Sequence, residues 1–482
     1  MGGVITTFVE SSSQMRVAIA FLFYVFAFSG VGQNANKNWY FGTGAALTFS
    51  NGDAMMEQGN QSMICLDNGA SVSDPYSGEL LFYSNGYQVW NANHEVMPNG
   101  SGLLGHNSGG NCAYAVQNPG NSNEFYLFTS DAWAGSNGIR YSIINMALDE
   151  GNGDIGSVKN EMLLDQATEK ISSVRHANGN DVWLIVHDWG SSLFFSYLIS
   201  ENGISETPVV SDVGSIHYGG AGLNYNAAGQ IVANDQNNKI ACAIYQMGTV
   251  EIFDFNNVTG ALSDPKIISD DNAWGLAFSP SGEFLFVSHW GGSKRNTIHQ
   301  YKVSYDDEGA IEESLVAIAG LTGPNASYIG GYLQKGPNNK IYIAKFQSNF
   351  LAEIQNPNAL GLECNIVDNA INLGQGVSQA GLPSITVAKA GIVSTQEVLK
   401  DEWIKPLKIY PNPANEIFNI DLNTTHKNTL VQVFKSNGEL LLKDYFSEQK
   451  IDIDVSNYQN GFYYLQIITC DQVVYNSILV KQ

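Results

Sequence analysis

The chain is expected to be all-β, a ring of repeated four-stranded sheets followed by a small sandwich of strands, and three observations carry that expectation. Composition is the first. Its 49 glycines against 13 prolines, with 11% aromatic and only 14% charged residues in 482, suit many short strands joined by tight turns and argue against a coiled coil or a disordered chain. The second is a turn-then-strand pattern that recurs six times. The third is a change of texture after residue 406, beyond which short alternating apolar runs are separated by Asn-Gly turns.

The repeat is clearest in 274–301, WGLAFSPSGEFLFVSHWGGSKRNTIHQY. An apolar strand ends at a Ser-Pro-Ser-Gly turn that reverses the chain, an aromatic and β-branched strand returns, and a Gly-rich loop leads to a third. The same signature stands at GELLFY (78–83), NEFYLF (123–128), NDVWLI (180–185), NKIACA (238–243), GEFLFV (282–287) and NKIYIA (339–344), at steps of 44 to 58 residues. That period fits four-stranded propeller blades with loops of variable length. Four copies are followed by a third strand, a turn and an outer strand, read at Gly153-Asp154-Ile155, Asn202-Gly203-Ile204, Gly260-Ala261-Leu262 and Gly309-Ala310-Ile311. Pieces remain at both ends: 381–387 reads as the first strand of a blade, and 38–49, NWYFGTGAALTF, as a second and third. Joining them closes the ring, removes unpaired edges and makes a seven-bladed β-propeller over 33–388.

Residues 389–406 are charged without alternation and read as a linker, and about seven strand patterns in 407–482 fit an Ig-like β-sandwich. At the other end, Met15-Arg16 precedes an apolar run at 17–28 that is too short to span a bilayer as a helix. With Gly30 and Gly32 just before Gln33, 1–32 reads as a signal peptide whose expected true start is Met15. No transmembrane segment is expected in the mature protein. The net charge of −23, from 46 acidic and 23 basic residues, repels polyphosphates, so nucleic acid is not an expected partner. Five cysteines, Cys65, Cys112, Cys242, Cys364 and Cys470, contain no C-x-x-C spacing. They read as buried small apolar residues, with any disulfide pairing left open.

In a propeller, the loops between second and third strands share one face with the loops leading into first strands. The former carry Trp133, His187, Asp188, Trp189, His289 and Trp290, and the latter His217 and Asp271. Indole faces stack on sugar rings while polar neighbours hold hydroxyls, so these eight residues form a candidate carbohydrate site; loops merely packed by Trp and Gly share the pattern. A metal site from His187, His217 and His289 has no supporting short-range spacing, and no metal or other cofactor is expected. The acidic stretches 149–154 and 305–309 do not match a calcium loop. With no G-x-S-x-G, H-E-x-x-H or P-loop motif, no catalytic residue is assigned.

Tyr410-Pro411-Asn412-Pro413-Ala414, Val431-Gln432-Val433-Phe434, Asn437-Gly438, IDVSNY at 453–458, Gly461-Phe462-Tyr463 and the terminal Lys481 stand in the order of a known export module. This segment resembles the type A sorting domain of the type IX secretion system of Bacteroidota. The resemblance implies sorting roles for Tyr410, Pro411, Asn412, Pro413, Gly438, Gly461 and Lys481, the secretion machinery as partner, and a secreted or outer-membrane-surface address. The preceding region, from NWYFG at 38–42 to Gly381-Leu382-Pro383, is similar to the YVTN-like propellers of secreted proteins in gliding Bacteroidota, which implies an adhesin-like surface role. The expected function is a non-catalytic secreted or cell-surface binding module with a glycan or surface-protein ligand. Two alternatives are a lactonase-like hydrolase with His187, Asp188 or His289 at its channel, and a structural surface component for adhesion or gliding.

Overall fold

The computed structural model describes residues 34–60, 62–384, 408–421, 429–435, 440–448, 450–468 and 474–481. They fall into two compact units, one within Phe28–Ala390 and one within Gly391–Gln482. The expected signal peptide, the expected linker and Gly438 lie outside the described residues.

The first unit holds seven antiparallel sheets. Blade one runs Ala70–Ser73, Leu80–Ser84, Gln88–Asn91 and Val96–Ser101, each strand paired to the next. Blades four (Ile231–Ala233 to Ala261–Ser269), five (Ala273–Phe278 to Val316–Ala319) and six (Gly330–Lys335 to Ile366–Asn372) repeat that order. In blades two (Tyr114–Gln117 to Glu161–Leu164) and three (Ala167–Arg175 to Val209–Asp212), two short segments share the outer position. The seventh sheet is Asn38–Phe41, Ala45–Thr48 and Met55–Gln58.

Strands start and stop where the turn chemistry dictates. In blade five the Gly282 N–H donates to the Ser279 carbonyl at 2.8 Å, with Gly282 at φ +73°, a conformation open to glycine because it has no Cβ. Asn339 takes the corresponding place in blade six at φ +62°. The apolar residues of second strands then face two neighbours, and each of the seven seams between blades encloses its own apolar cluster. A fully buried Leu or Phe contributes about 1.5–3 kcal/mol, so the seams rather than the loops hold the ring.

Ring closure joins the two ends of the unit, as the sequence predicts. Thr43 and Val377 exchange backbone hydrogen bonds at 2.8 and 2.9 Å, and Leu382 is buried with Trp39, Phe41 and Leu351 between blades six and seven. Of the first strand expected at 381–387, residues 385–387 lie outside the described residues, and the described part of the closing segment is less regular than a strand. Its pairing reduces to isolated bridges at Val377, Ser378 and Ser384, because Pro383 lacks a donor and Gly381 passes so close to Asp67 that an added Cβ would lie 2.2 Å from its carbonyl carbon. A second difference lies in blade five. The stretch around Gly309-Ala310-Ile311, expected to start an outer strand, forms the short helix Glu308–Glu313, and the strand follows at Val316–Ala319. Asp307 caps that helix through the Ala310 N–H at 2.9 Å and Ile311 is buried in the seam with blade four.

The second unit is a sandwich of two sheets. One contains Lys408–Tyr410, Ile417–Asp421 and Lys450–Asp454; the other is ordered Leu440–Phe446, Thr429–Lys435, Gly461–Ile468, Val474–Lys481. Period-two alternation sets its core: Ile451, Ile453 and Val455 are buried against Phe418, Val431 and Leu465, while Asp452 and Asp454 face water. Asn412 and Ala414 clasp the last strand, accepting from and donating to Val480 at 2.9 Å each, and Lys481 bridges Ala414.

Candidate functional site

Inner strands of the propeller begin at one face, called here the loop face, and end at the opposite one, the turn face. The eight residues expected to form a site all reach the loop face, but they separate into buried and accessible sets. His187, at the end of the second strand of blade three, and His217, in the loop leading into blade four, are both fully buried and stack at 3.6 Å between ring centres. The His187 Nδ1–H donates to the Asp188 carbonyl at 2.6 Å, leaving Nε2 without a partner, and both nitrogens of His217 are likewise unpaired. Glu251 Oε2 lies 3.9 Å from His217 Nε2. Burial keeps both imidazoles well below their ordinary pKa and therefore neutral, aided at His187 by the neighbouring His217 and at both by the positive charge of Lys170.

His289 belongs to a different cluster. Its Nε2 and the Nδ1 of His299 donate to the two oxygens of Asp270 at 2.9 Å each, and Lys294 at 3.0 Å and the Tyr301 hydroxyl at 3.1 Å complete the shell. Burial would raise the Asp270 pKa, but the hydrogen bonds from His289 and His299 prevail and hold it well below the usual carboxylate range. The donor set of Asp270, His289 and His299 is close enough to bind a cation, yet four donors including an ammonium already satisfy the carboxylate. It is a structural hub.

The three expected tryptophans are all half-buried and differ in their partners. Trp290 is sandwiched between Trp274 (5.2 Å) and Tyr328 (4.8 Å), and Tyr332 extends the stack behind Trp274 at 5.1 Å. Trp290 is half-buried in this stack. Trp189 lies 5.7 Å from Tyr218, whose ring is 68% exposed. Trp133, at φ +53°, borders His106 at 5.6 Å and donates its backbone N–H to Glu169. Asp188 accepts from the Ser191 hydroxyl at 2.6 Å, and Asp271 is exposed.

Sequence reasoning missed the charged residues that plug the channel. Glu169 and Lys170 stand side by side in the mostly polar inner strand Ala167–Arg175, and both are buried. The Lys170 ammonium donates to the carbonyls of Asn226, Ala227 and Ala228 at 2.8–3.3 Å, pinning the loop that precedes blade four. Burial pushes Glu169 up to about 7, against the pull of the Trp133 and Gly110 N–H groups, and Asp67 is raised by burial and by the Glu169 charge. Their one sequence signal is a pair of adjacent opposite charges at the position of an inner strand, since such residues are seldom buried unpaired.

The open space lies at the other end. A cavity of about 340 Å³ opens on the turn face, where the inner strands end. Asn111 and Gln230 make its floor and tie strands together: Asn111 donates to Ile171 at 3.1 Å, and Gln230 donates to Leu333 at 2.9 Å and accepts from Leu276 at 2.8 Å. Ser172, Gln334 and Asn339 form the walls with Phe278, and the Lys335–Asp235 ion pair stands at the lip beside Arg175. None of the eight expected residues lines it.

With this geometry in place, residues 408–481 match the family model of the secretion system C-terminal sorting domain. The second unit is that sorting domain. It indicates export by the type IX route to the cell surface or beyond, and the Asn412 and Ala414 clasp on the last strand belongs to it. No helix among the described residues is long and apolar enough to cross a membrane. No curated protein matches the chain. Solved structures that resemble it include Kluyveromyces lactis Hsv2 (11% identity, 66% of this chain and 90% of that one, TM-score 0.38). Others are a quinonprotein alcohol dehydrogenase-like protein of Bacteroides thetaiotaomicron (12%, 72% and 77%, 0.39) and the Cps50 (Swd1) β-propeller domain of Myceliophteria thermophila (10%, 64% and 94%, 0.35). These likenesses say nothing of what the chain binds.

Proposed function

We propose that the propeller is a non-catalytic binding module, carried out of the cell by its sorting domain, that takes a neutral polyhydroxylated ligand such as a short glycan segment in the turn-face cavity. The observation that carries this reading is the cavity itself, about 340 Å³, where side-chain amides and hydroxyls alternate with apolar residues. Its volume is in the range of small-ligand sites, about 300–1,000 Å³. Side-chain amides offer a donor and an acceptor on one group, which matches the paired hydroxyls of a sugar, and Phe278 supplies an apolar wall. Asp67, Glu169, Asp270, His187 and His217, all with shifted pKa values, are enclosed elsewhere, and Tyr114 lines the cavity as a phenol that burial pushes up to about 12 and so keeps protonated, which favours binding over acid–base chemistry there.

The loop face supports a second reading, because Tyr218 is exposed beside Trp189 and offers a flat platform to a sugar or a surface protein. In that proposal Trp133, Asp188, Trp189 and Asp271 contact the ligand, while His187, His217, His289 and Trp290 shape the face from beneath. A glycan panel probed with the full chain separates the two. Ala233→Trp, which fills the cavity, is expected to abolish binding together with Gln334→Ala, while Trp189→Ala/Tyr218→Ala keeps it. The reverse pattern moves the site to the loop face, and no binding by the unaltered chain overturns the glycan reading.

A further inference from the structure

We propose that Cys65 and Cys112 are joined by a disulfide in the exported protein. Their sulfurs lie 3.5 Å apart, and both residues are fully buried. Cys65 sits just before the inner strand of blade one and Cys112 just before that of blade two, so a bond between them would staple the two ends of blade one. Both belong to the apolar cluster in which Tyr40 and Ala46 of blade seven meet Tyr83 and Trp90 of blade one, the seam where the N-terminal piece completes the ring.

Geometry and address argue in the same direction. The two sulfurs need to approach from 3.5 Å to about 2.05 Å, giving up the thiol contacts at 3.2 Å that Cys65 makes with the Asp67 carbonyl and Cys112 with the Gly109 carbonyl. Cys242 and Cys364 lie in two other seams, so neither competes for this pairing. The sorting domain takes the chain through an oxidising compartment, where thiols this close are kept as disulfides.

The chemistry is thiol–disulfide exchange with the disulfide of a thiol oxidoreductase as oxidant. One cysteine thiolate attacks that disulfide, forming a mixed disulfide and releasing one oxidoreductase thiolate. The second cysteine thiolate then displaces the other, closing the Cys65–Cys112 bond. Two protons leave the chain, and its two electrons reduce the oxidant to a dithiol. Once the seam has closed, burial raises the Cys112 thiol well above its ordinary pKa, which places the exchange during folding, while both sulfurs are still accessible.

The test uses the full chain, produced by export or refolded with a mixture of reduced and oxidised glutathione, then denatured in acid with excess alkylating reagent. Of the five cysteines, three are expected to be alkylated without reductant and all five after it, and proteolysis should yield a linked peptide holding Cys65 and Cys112. In the same preparation a reductant is expected to lower the unfolding midpoint by about 5 °C, a shift absent from Cys65→Ala. Five alkylated thiols before reduction, or a linked peptide joining other cysteines, overturns the proposal.

Discussion

Two polar clusters occupy comparable places in the ring and reach opposite electrostatic outcomes. In blade five, the loop leading into the inner strand supplies Asp270, the second strand ends in His289, and the third carries His299 and Tyr301. At the junction of blades three and four the same three positions hold His217, His187 from the neighbouring blade, and Glu251. The first cluster satisfies a buried carboxylate with four donors. The second stacks two neutral imidazoles and leaves three ring nitrogens unpaired. A histidine near a carboxylate is thus no guide to its role; the number of donors that converge on the carboxylate decides it.

Breaking the satisfied cluster should have the largest effect. Asp270→Ala leaves Lys294 and two imidazoles facing an apolar seam and is expected to cost about 3–5 kcal/mol in denaturant unfolding; a loss below about 1 kcal/mol would show that the hub contributes little to folding. Next comes pH. Folded Glu169 titrates at about 7 against 4.5 for the ordinary group, so the native state prefers it protonated. Its contribution is complete below pH 4.5 and fades as pH rises through 7, by about 3 kcal/mol. His187 and His217 act with the opposite sign: their folded pKa values lie below 6.5, so stability is present above pH 6.5 and declines in more acid solution. Melting scans from pH 4.5 to 8 should therefore show the alkaline decline vanish in Glu169→Gln and the acid decline vanish in His187→Phe/His217→Phe.

The tryptophans sharpen the same contrast at smaller scale. Trp290→Ala opens the four-ring stack and is expected to cost about 2–3 kcal/mol, while Trp189→Ala, whose indole meets the exposed Tyr218 at a tilt, should cost less than about 1 kcal/mol; equal losses would show that the stack adds nothing. The smallest change is expected from His217→Phe alone, within about 1 kcal/mol of the parent, because an apolar ring replaces two nitrogens that already lack partners.

Much of the fold is legible along the chain. Six turn-then-strand copies place the second strands of six blades, the aromatic piece at 38–49 and the apolar one at 381–387 announce closure, and Ile451, Ile453 and Val455 declare the sandwich core by alternation. The misreadings are local. Asp307 caps a helical turn that outcompetes the expected strand, and Pro383 with Gly381 thins the closing strand to bridges. The candidate site is harder to read, because His187, His289 and Trp290 look like solvent-facing loop residues until entry loops and strands distant in sequence pack against them.

Local physics accounts for that division. Alternation and turn chemistry act over a few residues, so strand positions, blade period and the sorting domain could be read from residue order alone. Which end of the channel stays open depends on side chains from strands more than 100 residues apart, such as Gln230 reaching the Leu333 carbonyl. Glu169 and Lys170 seal the loop end, amides floor a cavity at the turn end, and Cys65 meets Cys112 across 47 residues. Those meetings are made by closing the ring, and only the tertiary structure decides them.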